Sequence, residues 1–180
     1  MNKDEIYCLF KEIGLQKNII EHVELVADIS KEISELIILK NHILDINLVI
    51  SGALLHDIGR SKTHGIKHAI IGVKILQDRG CKDLALMSII ERHIGAGITK
   101  EEALKLGLPI KDYIPVTLEE KIVSAADNLT FGAKRITLRE RLDYFNQKGL
   151  IEAAKKIAIL HKELSLLTNI DLDDILCKVK

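Results

Sequence analysis

The chain has 180 residues, enough for one domain with a sizeable core and too few for two comfortable ones. Its 26 Lys and Arg balance 26 Asp and Glu, so no net field draws it to nucleic acid or to a membrane surface. Hydrophobic residues make up 47%, but aromatics only 3% with no Trp, which fills an aliphatic core and argues against an aromatic platform for single-stranded nucleic acid.

Apolar residues recur at spacings of three and four along most of the chain, the period of amphipathic helices. Ile6, Leu9, Phe10 and Ile13 mark a first short helix, ended by Gly14. A long second helix runs from Ile19 to about Leu39, with Val23, Val26, Ile29 and Ile33 on its inner side. Ile46 to about Ile58 is apolar nearly all round and predicts a central buried helix, closed by Gly59. His68 to Arg79, closed by Gly80, and Asp83 to about His93 predict the next two. Thr99 with Glu102, and Thr117 with Glu120, have the spacing of capping boxes. The first opens a short helix ending near Gly107; the second opens one running toward Thr130, with Pro109 and Pro115 bracketing the connection. Ile151 to Leu167 and Asp171 to Val179 close the chain. The expectation is an all-α fold in a single domain over residues 1–180.

Cys8, Cys81 and Cys177 are odd in number and form no CxxC, against a disulfide framework or a thiolate zinc site. The N-terminus is acidic and carries no long apolar stretch, and "LVISGALL" is far short of a span, so a cytoplasmic protein without a membrane segment is expected.

Five polar residues on four helices are hard to explain together as packing. His56 and Asp57 end the most apolar helix in the chain, where a buried Asp is costly without a compensating cation. Asp127 sits among Ile122, Val123, Ala125, Ala126 and Leu129 and needs either a basic partner or a metal. His93 ends another apolar helix, and Gly95 and Gly97 after it are expected to let a ligand come close. His22 lies near the buried side of the second helix, where a core-edge histidine with one hydrogen bond is the plain alternative.

The ordered set His22, His56-Asp57 and Asp127 resembles the metal signature of the HD superfamily of phosphohydrolases, with "LLHDIG" as its central motif and "AAD" as its last. The resemblance covers about Ile19 to Phe131 and implies an orthogonal helical bundle around the metal, with residues 149–180 as supporting helices or a dimer contact. "HAIIG" and "ERHIGAG" place His68 and His93 where binuclear members carry histidines for a second ion. The six-residue set is similar to that of the YqeK-type symmetrical diadenosine tetraphosphate hydrolases and of the HD-GYP phosphodiesterases. The GYP element is missing, which counts against cyclic-di-GMP hydrolysis, and the wording "HDIGRSKTHGIKHA" is similar to an archaeal HDIG-type family.

This resemblance implies two divalent transition ions. His22, His56, Asp57 and Asp127 would hold one, and Asp57, His68 and His93 the other, with Asp57 bridging. Nitrogen and carboxylate donors without thiolate suit Fe, Mn, Co, Ni or Zn better than Mg or Ca. The implied activity is hydrolysis of a phosphoester or phosphoanhydride in a small nucleotide or dinucleoside polyphosphate, with no stable nucleic-acid complex. Asp57 and Arg60 are the expected catalytic residues, and Arg60, His64, Arg92, Lys134 and Arg135 the expected substrate contacts. Lys134 and Arg135 reach the site only if the helix carrying Asp127 continues past Gly132. His42 and His161 fall outside the pattern, and a homo-oligomer is compatible with it. Two other classes share the scaffold: HD-type di-iron oxygenases, and a non-catalytic nucleotide-binding regulatory module.

Overall fold

A capping box opens the chain. Asn2 accepts from the Glu5 amide, and the Glu5 carboxylate accepts from the Asn2 amide, which starts helix α1 (Lys3–Ile13). The computed structural model describes residues 1–175. Helix α2 (Lys17–Leu39) buries Val23, Val26, Ile29, Ile33 and Ile37 completely, so its inner stripe runs the whole length of the core. Helix α3 (Ile46–Leu55), capped by Asp45, packs along α2. Helices α4 (His68–Asp78), α5 (Leu84–Arg92) and α7 (Leu118–Asn128) close around them, α5 and α7 both against α3. A short helix α6 (Lys100–Lys105) begins at the Thr99–Glu102 capping box and sits over a small second core of Ile98, Ala103, Leu108 and Tyr113.

The all-α expectation stands, with a two-stranded hairpin of β1 (Thr130–Phe131) and β2 (Lys134–Arg135) as an addition. The helix carrying Asp127 therefore stops at Asn128 instead of continuing past Gly132. Helix α8 (Leu138–Gln147) follows and was not legible from apolar spacing, because none of its residues is buried. Its signal lay in polar residues: Thr137 and Glu140 form a third capping box. Helix α9 (Ile151–Thr168) packs on α7, α8 and α2, and α10 (Leu172–Ile175) on α9 and α2. The expected last helix extends beyond Ile175, and that part, with Cys177, lies outside the described residues.

Three local expectations change. Thr117 caps α7, but the Glu120 carboxylate leaves the box, accepting instead from the Val116 amide at 2.6 Å and from Arg92. Helix α3 ends at Leu55, and the chain turns at Asp57 (φ −102°, ψ 13°) into a 3-10 turn, Ile58–Ser61. Gly59 does not make that turn. It is needed because a Cβ there would stand 1.9 Å from the His68 carbonyl oxygen and 2.7 Å from the Gly72 amide. Gly97 (φ 99°) likewise serves packing, since a Cβ would meet the Ile114 Cα at 2.8 Å.

The Gly59 contact joins the turn after Asp57 to the first turn of α4, which carries His68. Gly59→Ala must push these backbones apart and should lower stability by about 3 kcal/mol or more, the upper range for overpacking. Gly65→Ala meets only Thr63 Oγ1, at 3.8 Å, and should stay within about 0.5 kcal/mol of wild type. Urea denaturation midpoints of the two variants check this directly.

Candidate metal centre

Each of four histidines turns its Nδ1 to a backbone carbonyl. His56 donates to Ala53 O at 2.7 Å, His93 to Ile90 O at 2.7 Å and His68 to Gly65 O at 2.9 Å, each three residues back along its own segment. His22 instead donates to Gly132 O, at 3.0 Å, at the tip of the hairpin. A neutral imidazole has one donor and one acceptor nitrogen, so with every ring neutral these bonds leave all four Nε2 atoms as bare lone pairs.

Those lone pairs face one another. His22 Nε2 and His56 Nε2 are 3.2 Å apart, and His68 Nε2 and His93 Nε2 are 3.0 Å apart. Two lone pairs at such distances repel unless a proton or a metal ion stands with them. Asp57, 2% exposed, lies between the two pairs and gives one oxygen to each. Its Oδ2 is 3.5 Å from His22 Nε2 and 3.8 Å from His56 Nε2; its Oδ1 is 3.0 Å from His68 Nε2 and 3.6 Å from His93 Nε2. Despite that approach, Oδ1 meets no aligned hydrogen-bond donor among the described residues. Asp127 Oδ1 completes the first group, 3.2 Å from His22 Nε2 and 3.8 Å from His56 Nε2.

The six residues come from α2, the end of α3, the start of α4, the end of α5 and α7. Donor atoms of His22, His56 and Asp57 lie within 4.8 Å of one another, as do those of Asp57, His68 and His93. An electron-rich cage with an unsatisfied buried carboxylate oxygen is chemically suited to cations, and its imidazole and carboxylate donors to transition ions. The carbonyl bonds at Nδ1 are the kind of outer support that fixes the ring of a metal-binding histidine.

The titration behaviour agrees with the crowding. Burial pushes His93 down to about 3, with His56 and His68 acting in the same direction. Burial also lowers His56, against the pull of Asp57 and Asp127. Burial would lower His22 too, but its hydrogen bond to Asp127 and the charges of Asp127 and Asp57 outweigh it, so the net shift is upward. Burial opposes ionisation of both acids, yet the surrounding imidazoles hold Asp57 and Asp127 below the usual carboxylate range.

A pocket of about 300 Å³ opens on the His22–Asp127 side, lined also by Asp57, Arg60, Phe131, Gly132 and Arg141. Arg60 reaches it with Nε bonded to Asp57 Oδ2 and Nη1 donating to His64 O at 3.4 Å. His64 itself is an exposed loop residue outside the pocket lining. Arg92 is held by both oxygens of Glu120, at 3.1 and 3.0 Å, and Arg135 by both oxygens of Glu32, at 3.1 and 3.0 Å. Neither lines the pocket, and both guanidinium groups are already paired with carboxylates. Lys134 is exposed on β2, reached by the hairpin and not by a helix face. His161 is buried and paired with Asp171 at 2.9 Å.

Arg141 was not anticipated. From α8 it donates Nε to Asn128 O at 2.8 Å and Nη2 to Asp127 O at 3.2 Å, and it also bonds the Thr130 carbonyl. It thus closes the carbonyl end of α7 next to Asp127 while lining the pocket. Only the capping box that starts α8 could have pointed to it.

Were each group to hold an ion, Asp57→Ala would remove both and His68→Ala would leave about one per chain, because Asp57 gives one oxygen to each group; elemental analysis of the purified proteins checks this. Since His22 is shifted upward, metal binding near pH 7 should displace a proton from it, and affinity should fall as the pH drops toward 6. Proton release in weakly buffered titrations, lost in His22→Ala, is the measurement.

Comparison with known proteins agrees with this geometry. A family model described as HD domain matches residues 19–132. The chain is 47% identical over 174 residues to a tRNA (cytidine(56)-2'-O)-methyltransferase of Thermoplasma volcanium, a match covering 96% of this chain and 50% of that protein. It is 46% identical over 174 residues to the protein of the same name in Picrophilus torridus, covering 97% and 49%. The chain therefore spans about half the length of these two curated relatives. An uncharacterized protein of Methanocaldococcus jannaschii is 48% identical over 151 residues, covering 83% of this chain and 89% of that one. Among solved structures, the HD domain of the L. monocytogenes phosphodiesterase PgpH matches with a TM-score of 0.53 at 17% identity, over 89% of this chain and 96% of that one, a likeness of fold. With five helices delivering the six polar residues and the family model spanning 19–132, the chain belongs to the HD domain family.

Proposed function

We propose that this chain is a metal-dependent phosphohydrolase whose substrate is a small nucleotide or dinucleoside polyphosphate. The observation that carries the reading is the pair of facing Nε2 groups divided by Asp57, each pair served by one oxygen of the same carboxylate. His22, His56, Asp57 and Asp127 would hold one divalent ion, and Asp57, His68 and His93 a second. Bound there, such ions supply Lewis acidity toward a phosphoryl oxygen and lower the pKa of water.

The chain's own residues do the rest. The Nδ1–carbonyl bonds hold the four rings in place, so the cage does not reorganise during reaction. Asp57 ties the two halves together and is itself oriented by Arg60. Arg60 and Arg141 bring guanidinium groups to the open side of the cage, and paired guanidinium donors match phosphate oxygens. His56, Asp57, His68 and His93 are themselves buried, so that side of the cage is shut off from bulk water.

The methyltransferase names belong to proteins about twice as long as the matched region, and the M. jannaschii relative is matched over nearly all its length. We read the shared region as a metal-binding module that occurs both within a longer chain and at its own length. RNA therefore joins the substrates worth testing.

The experiment is a panel of nucleoside phosphates, dinucleoside polyphosphates, cyclic nucleotides and tRNA, each assayed with Mn, Co, Ni, Zn and Fe. Release of phosphate or nucleotide with a redox-inert ion is expected, with Asp57→Ala reducing it at least about a thousandfold. Turnover confined to iron in air would favour the oxygenase class. Nucleotide binding without turnover under every metal would favour a regulatory module.

A further inference from the structure

The chain holds three Phe and three Tyr. Phe10 and Tyr113 are buried, and Tyr7 packs on the main core. The other three adjoin one another outside either core: Phe131 lines the metal pocket, Tyr144 meets that ring, and Phe145 lines a separate apolar cavity with Ile94 and Leu150. Phe131 and Tyr144 meet edge to face at 5.7 Å, and Tyr144 and Phe145 at 5.9 Å. Phe131 is 57% exposed and Tyr144 40%, yet both sit on well-anchored elements.

The hairpin has two unlike faces. Thr130 pairs with Arg135 across the strands, and this face is fixed: Thr130 is 1% exposed and Arg135 is bound to Glu32 on α2. Phe131 pairs with Lys134 on the opposite face, so the two side chains stand together. Lys134 makes no ion pair among the described residues, and Phe131 lines the pocket that contains His22 and Asp127. Arg141, between this face and the cage, uses Nε and Nη2 on carbonyls, while its Nη1 has no hydrogen-bond partner among the described residues. Lys148 Nζ lies 5.8 Å from the Tyr144 ring and the Arg141 guanidinium 6.0 Å from the Phe145 ring, so cations already border these rings. An ordered, exposed aromatic pair beside lysine and arginine groups and a phosphate-suited cage has the makings of a subsite for a planar ring attached to phosphate.

We propose that Phe131 and Tyr144 form a nucleobase subsite, with Lys134 and Arg141 Nη1 contacting the phosphates between the base and the cage. This inference rests on the phosphohydrolase reading and names how the same site selects its substrate. The base can come from a free nucleotide or from the end of an RNA chain; the ring chemistry recognised is the same.

The test is calorimetric binding to the manganese-loaded chain of 5′-AMP, 5′-UMP, ribose 5-phosphate, inorganic phosphate and a short single-stranded oligoribonucleotide. At least one nucleotide should bind about tenfold more tightly than ribose 5-phosphate. Phe131→Ala and Tyr144→Ala should each reduce that margin with metal content unchanged, and Phe131→Tyr should restore it. A margin seen only with the oligoribonucleotide assigns the base to RNA. Equal binding of all nucleotides and ribose 5-phosphate, equal weakening of every probe in the variants, or no binding of any base-containing probe overturns the subsite. Phosphate separates the two readings: if it binds with no base margin, only the subsite fails. If it does not bind, the phosphohydrolase reading is undermined, whatever the nucleotides show.

Discussion

Four hydrogen bonds from imidazole Nδ1 to backbone carbonyls underlie the centre. Because each ring is committed through Nδ1, each neutral ring presents an Nε2 lone pair inward, and the fold then presses those lone pairs against each other and against Asp57. In an apolar protein interior this is electrostatically unfavourable. A structure that concentrates bare acceptors so tightly is stable to the extent that positive charge joins them. The two rings are pulled in opposite directions: burial and the neighbouring imidazoles depress His93, while against burial the bond to Asp127 and the charges of both acids raise His22.

Backbone proximity makes the crowding possible. The turn after Asp57 lies so near the start of α4 that no side chain fits at Gly59, and Gly72 approaches Ile58 and Ile90 from the same helix. These contacts bring His68 to the Oδ1 side of Asp57, while α2 and α7 bring His22 and Asp127 to the Oδ2 side. The HDIG glycine is thus a spacing requirement between two backbones, and its place after His56-Asp57 follows from where the chain must pass.

Much of this was legible in the sequence. Long aliphatic stripes with spacing of three and four located α2, α3, α5 and α9, because burial of one helix face imposes that period. Charged and imidazole groups at the ends of apolar helices singled out His56, Asp57, His93 and Asp127, since burying them without compensation is costly. What stayed hidden was carried by polar or backbone features. No residue of helix α8 is fully buried, so it leaves no strong apolar stripe, and the hairpin is too short for alternation to register. Arg141 therefore escaped notice, while Arg92 and Arg135 looked available because their partners Glu120 and Glu32 are 28 and 103 residues away. The low aromatic content argued against an aromatic platform for single-stranded nucleic acid; it did not show that three of the six rings would adjoin one another, with Phe131 at the pocket.

The two halves of the cage differ in how far apart along the chain their parts lie. Asp57, His68 and His93 fall within one stretch, and the carbonyls that orient the latter two belong to the same stretch. His22 is oriented by Gly132, 110 residues away. Closing a loop of that length has an entropic cost that local turns do not. A cation shared by His22 and Asp127 would therefore act as a clasp across most of the family core, fastening the second helix to the seventh. The ion proposed to activate substrate would then also hold this long closure shut, and losing it would loosen the open end of the cage before the buried end.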